Sequence, residues 1–320
     1  MRKIIIIIGV IFGILALAGG IYFAWKKSQE ILTPPTSPTI PIITAPAPPI
    51  SPIPPTSNLK SISDQTIFDY FIRHNLDEGG LTISAEIFYI TQDGKIFKII
   101  ENAEDEIISS QPIENIQLIK SSANGERILI KYGKRDSPQF NIFNAVERIW
   151  ELLPSEITAA DFSPDSKKIA YLKTNNGKSD LITKNISETK TTKIISLSQK
   201  DLELKWLTNE NILLLPKPSS QIDSDIWSIN ITNKTLKKIA SGRGLMTNWS
   251  ADGSLGIKFF VDQKRNSSLD LINDDGITQA NFDFSTLPNK CLLTLNKIYC
   301  AIPQTHSSTQ EPILPDDYLK

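Results

Sequence analysis

Two hydrophobic patterns divide this chain. The first is a single run from Ile4 to Trp25, 22 residues without a charge, which at about 1.5 Å per residue is long enough to cross roughly 30 Å of hydrocarbon as a helix. The second begins beyond Asn58, where short β-branched and aromatic runs are separated by clusters of Gly, Asn, Asp, Ser and Pro. That is the texture of strands and turns. Within it one unit recurs: a residue before a turn, a small polar loop, then an apolar strand. It appears as Ser122-Ala123-Asn124-Gly125 running into Ile128-Leu129-Ile130 and as Phe162-Ser163-Pro164-Asp165 into Ile169-Ala170-Tyr171. It returns as Trp206-Leu207-Thr208-Asn209 into Ile212-Leu213-Leu214, as Trp249-Ser250-Ala251-Asp252-Gly253 into Ile257-Lys258-Phe259, and as Leu292-Leu293-Thr294-Leu295 into Ile298-Tyr299-Cys300. With Ser122, Ser163, Leu207, Ser250 and Leu293 as equivalent positions, the spacings are 41, 44, 43 and 43 residues.

A constant period of about 40 to 45 residues with several strands per unit predicts an all-β fold, a β-propeller of four-stranded blades. Third and fourth strands are expected at Asp180 to Asn185 and Lys193 to Leu197 in one copy, and at Asp225 to Ile231 and Thr235 to Ala240 in the next. Trp206 and Trp249, at the ends of innermost strands, are expected to pack between neighbouring blades. The blades read as Glu86 to Ser110, Ile113 to Leu153, Glu156 to Leu197, Asp201 to Ala240, Leu245 to Phe284, and an incomplete one from Lys290, so about six or more in all. A propeller must close or leave strand edges exposed. Thr66 to Arg73 is one source of a closing strand. The favoured reading is a chain that stops short of its last blade, since Pro315-Asp316-Asp317-Tyr318 reads as a loop leading to another strand.

The segment Phe162-Ser163-Pro164-Asp165-Ser166-Lys167-Lys168-Ile169-Ala170-Tyr171 resembles the F-S-P-D-G-K-K-I-A-Y hairpin of WD-like propeller repeats in TolB-type periplasmic proteins. Trp249-Ser250-Ala251-Asp252-Gly253 is a looser copy, and the resemblance extends over about 230 residues from Glu86 on. It implies a propeller with a binding role. It transfers no partner, because no blade carries the family's peptide-binding residues in recognisable form, and the Trp-Asp dipeptide of true WD repeats is absent.

The amino-terminal run is flanked by Arg2 and Lys3 before and Lys26 and Lys27 after. Ala16-Leu17-Ala18 offers the small-x-small site of a cleaved signal peptide. The apolar run continues past it through Ile21, Tyr22, Phe23 and Trp25, whose aromatics suit a membrane interface, so an uncleaved signal-anchor with the body exported is favoured. Ten of the 20 prolines then fall between Pro34 and Pro55, with no charge among them. Such a segment adopts extended polyproline II and acts as a semi-rigid spacer. The expected organisation is therefore a transmembrane signal-anchor at 1–27, a proline-rich linker at 28–58 and the propeller at 59–320.

Charge adds an exclusion. Lys plus Arg number 34 against 35 for Asp plus Glu, a net −1, which gives no basic field for nucleic acid. Two cysteines and two histidines cannot make a zinc site of three or four such ligands. Cys291 and Cys300 bracket the last hairpin and are a disulfide candidate in an oxidising compartment, with two separate buried thiols as the alternative. His74 and His306 have no identifiable nucleophile beside them, and no Gly-x-Ser-x-Gly elbow occurs. The acidic stretch from Glu101 to Glu106 lacks the glycine-punctuated spacing of a calcium loop. Five Asn-x-Ser/Thr sequons, at Asn185, Asn230, Asn233, Asn248 and Asn266, follow from composition. No catalytic, cofactor-binding or metal-binding residue is assigned. The expectation is a non-enzymatic envelope scaffold that meets the membrane through its first helix and presents loops to a protein, peptide or glycan. The competing reading is a propeller hydrolase or lyase with carboxylates converging at the central channel.

Overall fold

Runs such as Ile128-Leu129-Ile130 and Ile169-Ala170-Tyr171-Leu172 are apolar at consecutive positions, so strands built from them must be covered on both faces. A computed structural model describes residues 63–302 except 64, 77–81, 220, 265, 295 and 296, all within one compact unit, Ser61–Lys320. The expected anchor and linker lie outside the described residues. Among the described residues no helix is long and apolar enough to cross a membrane.

The chain folds as successive antiparallel meanders. The first sheet is β1 (Ile67–Leu76), β2 (Thr82–Thr91), β3 (Ile96–Lys98) and β4 (Glu106–Ser109). The second is β5 (Ile116–Ser121), β6 (Arg127–Lys134), β7 (Ser137–Asn144) and β8 (Ile149–Leu152). The third is β9 (Ile157–Phe162), β10 (Lys168–Asn175), β11 (Lys178–Asn185) and β12 (Thr191–Leu197). The fourth unit is β13 (Leu202–Trp206), β14 (Asn211–Pro216), β15 (Asp223–Asn230) and the first half of β16 (Leu236–Trp249). From Arg243 onward β16 pairs instead with β17 (Leu255–Val261), which opens a fifth unit completed by β18 (Ser267–Asn273) and β19 (Thr278–Asn281). A hairpin of β20 (Cys291–Leu293) and β21 (Ile298–Cys300) follows.

The first unit differs from the expectation. The stretch from Thr66 pairs along β2 from Ile67↔Thr91 to Leu76↔Thr82, so it is the first strand of the first sheet. Sequence-adjacent antiparallel pairing closes a short loop at small entropic cost, whereas closing the ring would span the whole domain.

Alternate residues of each second strand face opposite neighbours. On β6, Ile128 and Ile130 join Phe71 and Phe88 of the first sheet, while Leu129 joins Phe162 and Tyr171 of the third. On β10, Ile169 and Tyr171 turn toward the second sheet, and Ala170 and Leu172 toward Leu204 and Trp206 of the fourth. On β14, Ile212 and Leu214 face the third unit, and Leu213 shares a cluster with Trp249 and Ile272 of the fifth. Ile257, Phe259 and Val261 on β17 pack against Cys291 and Leu293. Each such side chain, fully buried, contributes about 1.5–3 kcal/mol. Two end faces lack this cover among the described residues: that of β1 bearing Tyr70, 64% exposed, and that of the last hairpin, where the directly paired Leu292 and Tyr299 are 63% and 55% exposed.

Three first-to-second-strand turns are built atom for atom alike. The hydroxyls of Ser122, Ser163 and Ser250 donate to Asn124, Asp165 and Asp252 at 2.8, 2.6 and 2.6 Å. Each also accepts the amide five residues on, from Arg127, Lys168 and Leu255. The residue after the Asn or Asp is left-handed in every copy: Gly125 (φ 71°), Ser166 (φ 59°) and Gly253 (φ 74°). These turns seat on the preceding unit. A Cβ on Gly125 would lie 2.0 Å from the Ile72 carbonyl oxygen, and the Asn124 amide donates to Ser166 Oγ at 3.1 Å.

Gly125→Ala is therefore expected to destabilise the fold by about 2 kcal/mol or more, from strain and overlap together. Ser166→Val should cost about 2 kcal/mol, while Ser166→Gly should stay within about 1 kcal/mol of the native protein, because relief of left-handed strain offsets the lost hydrogen bond. Chemical denaturation of the three variants checks this ordering.

The same turns set an acid limit. The Ser250 hydroxyl and then the Ser254 hydroxyl and amide hold the Asp252 carboxyl below its usual value. At Asp165 partial burial pushes upward, but the Ser163 hydroxyl, the Lys167 amide and the charges of Lys167 and Lys168 outweigh it, and the net shift is downward. A carboxyl depressed on folding contributes stability that is present above its unfolded pKa, about 3.9, and is lost as pH falls through the lower folded value. Thermal melts should fall below about pH 4, and the fall should be shallower in an Asp165→Asn, Asp252→Asn double variant. An unchanged acid limb would contradict this.

Candidate functional site on the inner strands and the loop-side crevice

The second, third and fourth units share no backbone ladder, so side chains must join their first strands. The joining residues stand at one repeat position, two before the turn serine: Lys120, Asp161 and Asn248. Lys120 Nζ donates to the carbonyls of Ala160 at 3.2 Å and Leu204 at 2.9 Å, and lies 3.6 Å from Asp161 Oδ1. Asp161 Oδ2 accepts the Trp206 amide at 2.8 Å. Asn248 Nδ2 donates to the Cys291 carbonyl at 2.8 Å. One lysine thus touches β9 and β13 from its place on β5, so these three first strands lie within the reach of a single side chain. The Asp161 side chain is only 8% exposed, and its lysine and amide partners compensate the lost hydration. Beside this bridge, Lys131 on β6 pairs with Glu203 on β13 at 3.2 Å.

A crevice of about 400 Å³ opens at the other end of the strands, lined by the β12–β13 connection and by the fourth unit. Asp223, Asp225 and Trp227 alternate along β15, so they share one face. Trp227 packs on the cluster between the third and fourth units, which places that face toward the third. The connection from β12 to β13 supplies Gln199 and Lys200, and the β14–β15 loop supplies Lys217 and Ile222. The two carboxylates are oriented from β16: Arg243 Nε donates to Asp223 Oδ1 at 3.1 Å and the Ser241 hydroxyl to Asp225 Oδ1 at 2.5 Å.

The residues singled out by sequence fall elsewhere. Cys291 and Cys300 oppose each other in the β20–β21 ladder and are joined by a disulfide. His74 lies on β1, where its amide donates to the Asn124 carbonyl at 3.3 Å, and His306 is outside the described residues. In the acidic stretch, Asp105 accepts the Tyr89 hydroxyl and Glu106 pairs with Arg148. The sequon residues Asn185 and Asn230 end third strands, and their Oδ1 atoms accept amides of the following turn, from Ser187, Thr232 and Asn233. Asn144 does the same for Val146 and Glu147, so these asparagines serve as turn caps at one repeat position.

These features define an all-β protein of repeated four-stranded propeller blades. Among solved structures the chain is similar to TolB from Acinetobacter baumannii, at 13% identity over 60% of this chain and 49% of that one, with TM-score 0.43. It is similar to a putative TolB from Agrobacterium tumefaciens, at 13% identity over 67% and 81% of the two chains, TM-score 0.42. A third is an oligogalacturonate lyase in complex with manganese, at 10% identity over 59% and 56%, TM-score 0.42. The chain thus spans about half the length of the first and third of these. No protein-family model matches it, and no curated protein does.

Lys120→Met removes the cation from a desolvated carboxylate and two carbonyls at once, and is expected to cost about 2–3 kcal/mol. A Lys120→Met, Asp161→Asn double variant should be no less stable than Lys120→Met alone, because the uncompensated charge is gone. Urea denaturation of both variants measures this, and a double variant much weaker than the single one would contradict it.

Proposed function

We propose that this chain is a non-enzymatic binding or scaffolding propeller of the cell envelope. In this reading it is tethered by the Ile4–Trp25 helix, held off the membrane by the Pro34–Pro55 spacer, and presents its loop side to a protein, peptide or glycan partner. The β20–β21 hairpin is taken as the inner half of a sixth blade. One observation carries the choice against a hydrolase or lyase at the axis. An acid–base catalyst needs a carboxylate free to exchange a proton with substrate. Asp161 and Glu203 instead each face a lysine, and Asp161 also caps the Trp206 amide. The Cys291–Cys300 disulfide fits an exported body in an oxidising compartment.

The test is fractionation and labelling of the full-length chain in cells. It should sediment with membranes, its body should be cut by protease added outside intact protoplasts, and a photo-crosslinker at Ile222 on the loop side should give a discrete adduct that Glu203→Gln leaves unchanged. A body shielded from external protease would overturn the exported reading. Accumulation of an uncleaved substrate on Glu203→Gln would overturn the non-enzymatic one.

A further inference from the structure

We propose that the crevice formed by the fourth unit and the connection leading into it is a saccharide-binding site, an inference that rests on the binding reading above and names a ligand class for the loop side. A sugar ring has one face of C–H bonds and a rim of hydroxyls, each of which both donates and accepts. A matching site needs an aromatic surface at its base, and acceptors and donors on its walls. The crevice has this layout. Trp227 stands at the inner end of the β15 row, packed on the inter-unit cluster, and Asp225 and Asp223 follow it outward. Gln199, Lys200 and Lys217 supply donors from the connection and loop around it.

The carboxylates are prepared for such a role. Each is held through Oδ1 by a β16 side chain, and neither Oδ2 takes part in a hydrogen bond among the described residues. The strand therefore fixes their orientation before any ligand arrives, which lowers the entropy lost on binding. The volume, about 400 Å³, sits at the small-molecule end of binding cavities, which span roughly 300–1,000 Å³. Charge argues against other ligands of this size. A phosphate-bearing ligand would meet Asp201, Asp223 and Asp225, a cationic one Lys200 and Lys217, and an apolar one would strip water from all five. A neutral polyol satisfies both signs.

Titration of the full-length chain in a detergent without a sugar headgroup tests the site, with the neutral disaccharides cellobiose and N,N′-diacetylchitobiose as probes. Tryptophan fluorescence and amide NMR shifts are the readouts. Saturable binding of at least one probe is expected, with shifts confined to residues near 199–201 and 216–227. Trp227→Ala should weaken it by about tenfold or more, and Trp227→Phe by less. Because Trp227 also packs on the cluster, Lys217→Ala and Asp223→Asn provide surface variants, each expected to weaken binding several-fold with an unchanged far-UV spectrum. No saturation by any probe, or binding indifferent to all these variants, overturns the site. If the Ile222 adduct persists in that case, the scaffold reading stands without it. Binding accompanied by release of monosaccharide keeps the site and overturns the non-enzymatic reading.

Discussion

Successive sheets in this protein are joined almost entirely by side chains, because backbone ladders stop at the edge of each unit, β16 excepted. Everything else follows from that constraint. A four-stranded meander with both faces apolar cannot persist alone in water, so each unit is stable only between two others. The alternation on β6, β10 and β14 divides each strand's side chains between two interfaces, and loss of one unit would expose the faces of its neighbours. The uncovered faces bearing Tyr70 at one end and Leu292 and Tyr299 at the other are what this rule leaves at the ends of the described array.

Polar side chains then fix what apolar packing leaves free. Flat faces can slide, and buried hydrogen bonds between strands set the register. Lys120 does this for three first strands, Asp161 for two, and Asn248 for the last pair. The turn residues Gly125 and Ser166 add a second set of contacts at the same end, where backbones approach too closely for an added side chain at Gly125.

Much of the fold was legible in the sequence because its signal is local. The Ser-x-Asp/Asn turn stands in three of the units, at Ser122, Ser163 and Ser250, within a repeat of 41 to 44 residues, and each copy specifies the hairpin around it through its own hydrogen bonds. The stretch at Ile67–Leu76, read only as one source of a closing strand, is the first strand of the first sheet, and the sequence that follows it, residues 77–81, carries no Ser-x-Asp/Asn motif to mark it as such. The axial bridges were missed for a different reason. Lys120, Asp161 and Asn248 occupy one position but differ in charge and chemistry, so no residue type repeats even though the geometry does. Aligning the units on their turn serines would have exposed a polar residue two places earlier in each. The asparagines read as sequons show the converse, since their common role in turns lies in the backbone amides they accept. The crevice was beyond reach, as Lys200 and Trp227 come from different elements and only the folded chain brings them to one cavity.

The two ends of the strands consequently have different capacities. At the turn end Lys120, Asp161 and Asn248 are engaged in holding units together, and a ligand that bound them would displace a structural bond. At the loop end, the β14–β15 connection and the β12–β13 connection need only span between strands, so their residues are free to vary without disturbing the packing beneath. Ile222 is 69% exposed there, and the Asp223 and Asp225 carboxylates are bound to β16 through Oδ1, which leaves Oδ2 able to take a ligand contact without breaking those bonds. Recognition at that end would cost the fold least, which is the physical basis of the proposal that the protein binds through its loops.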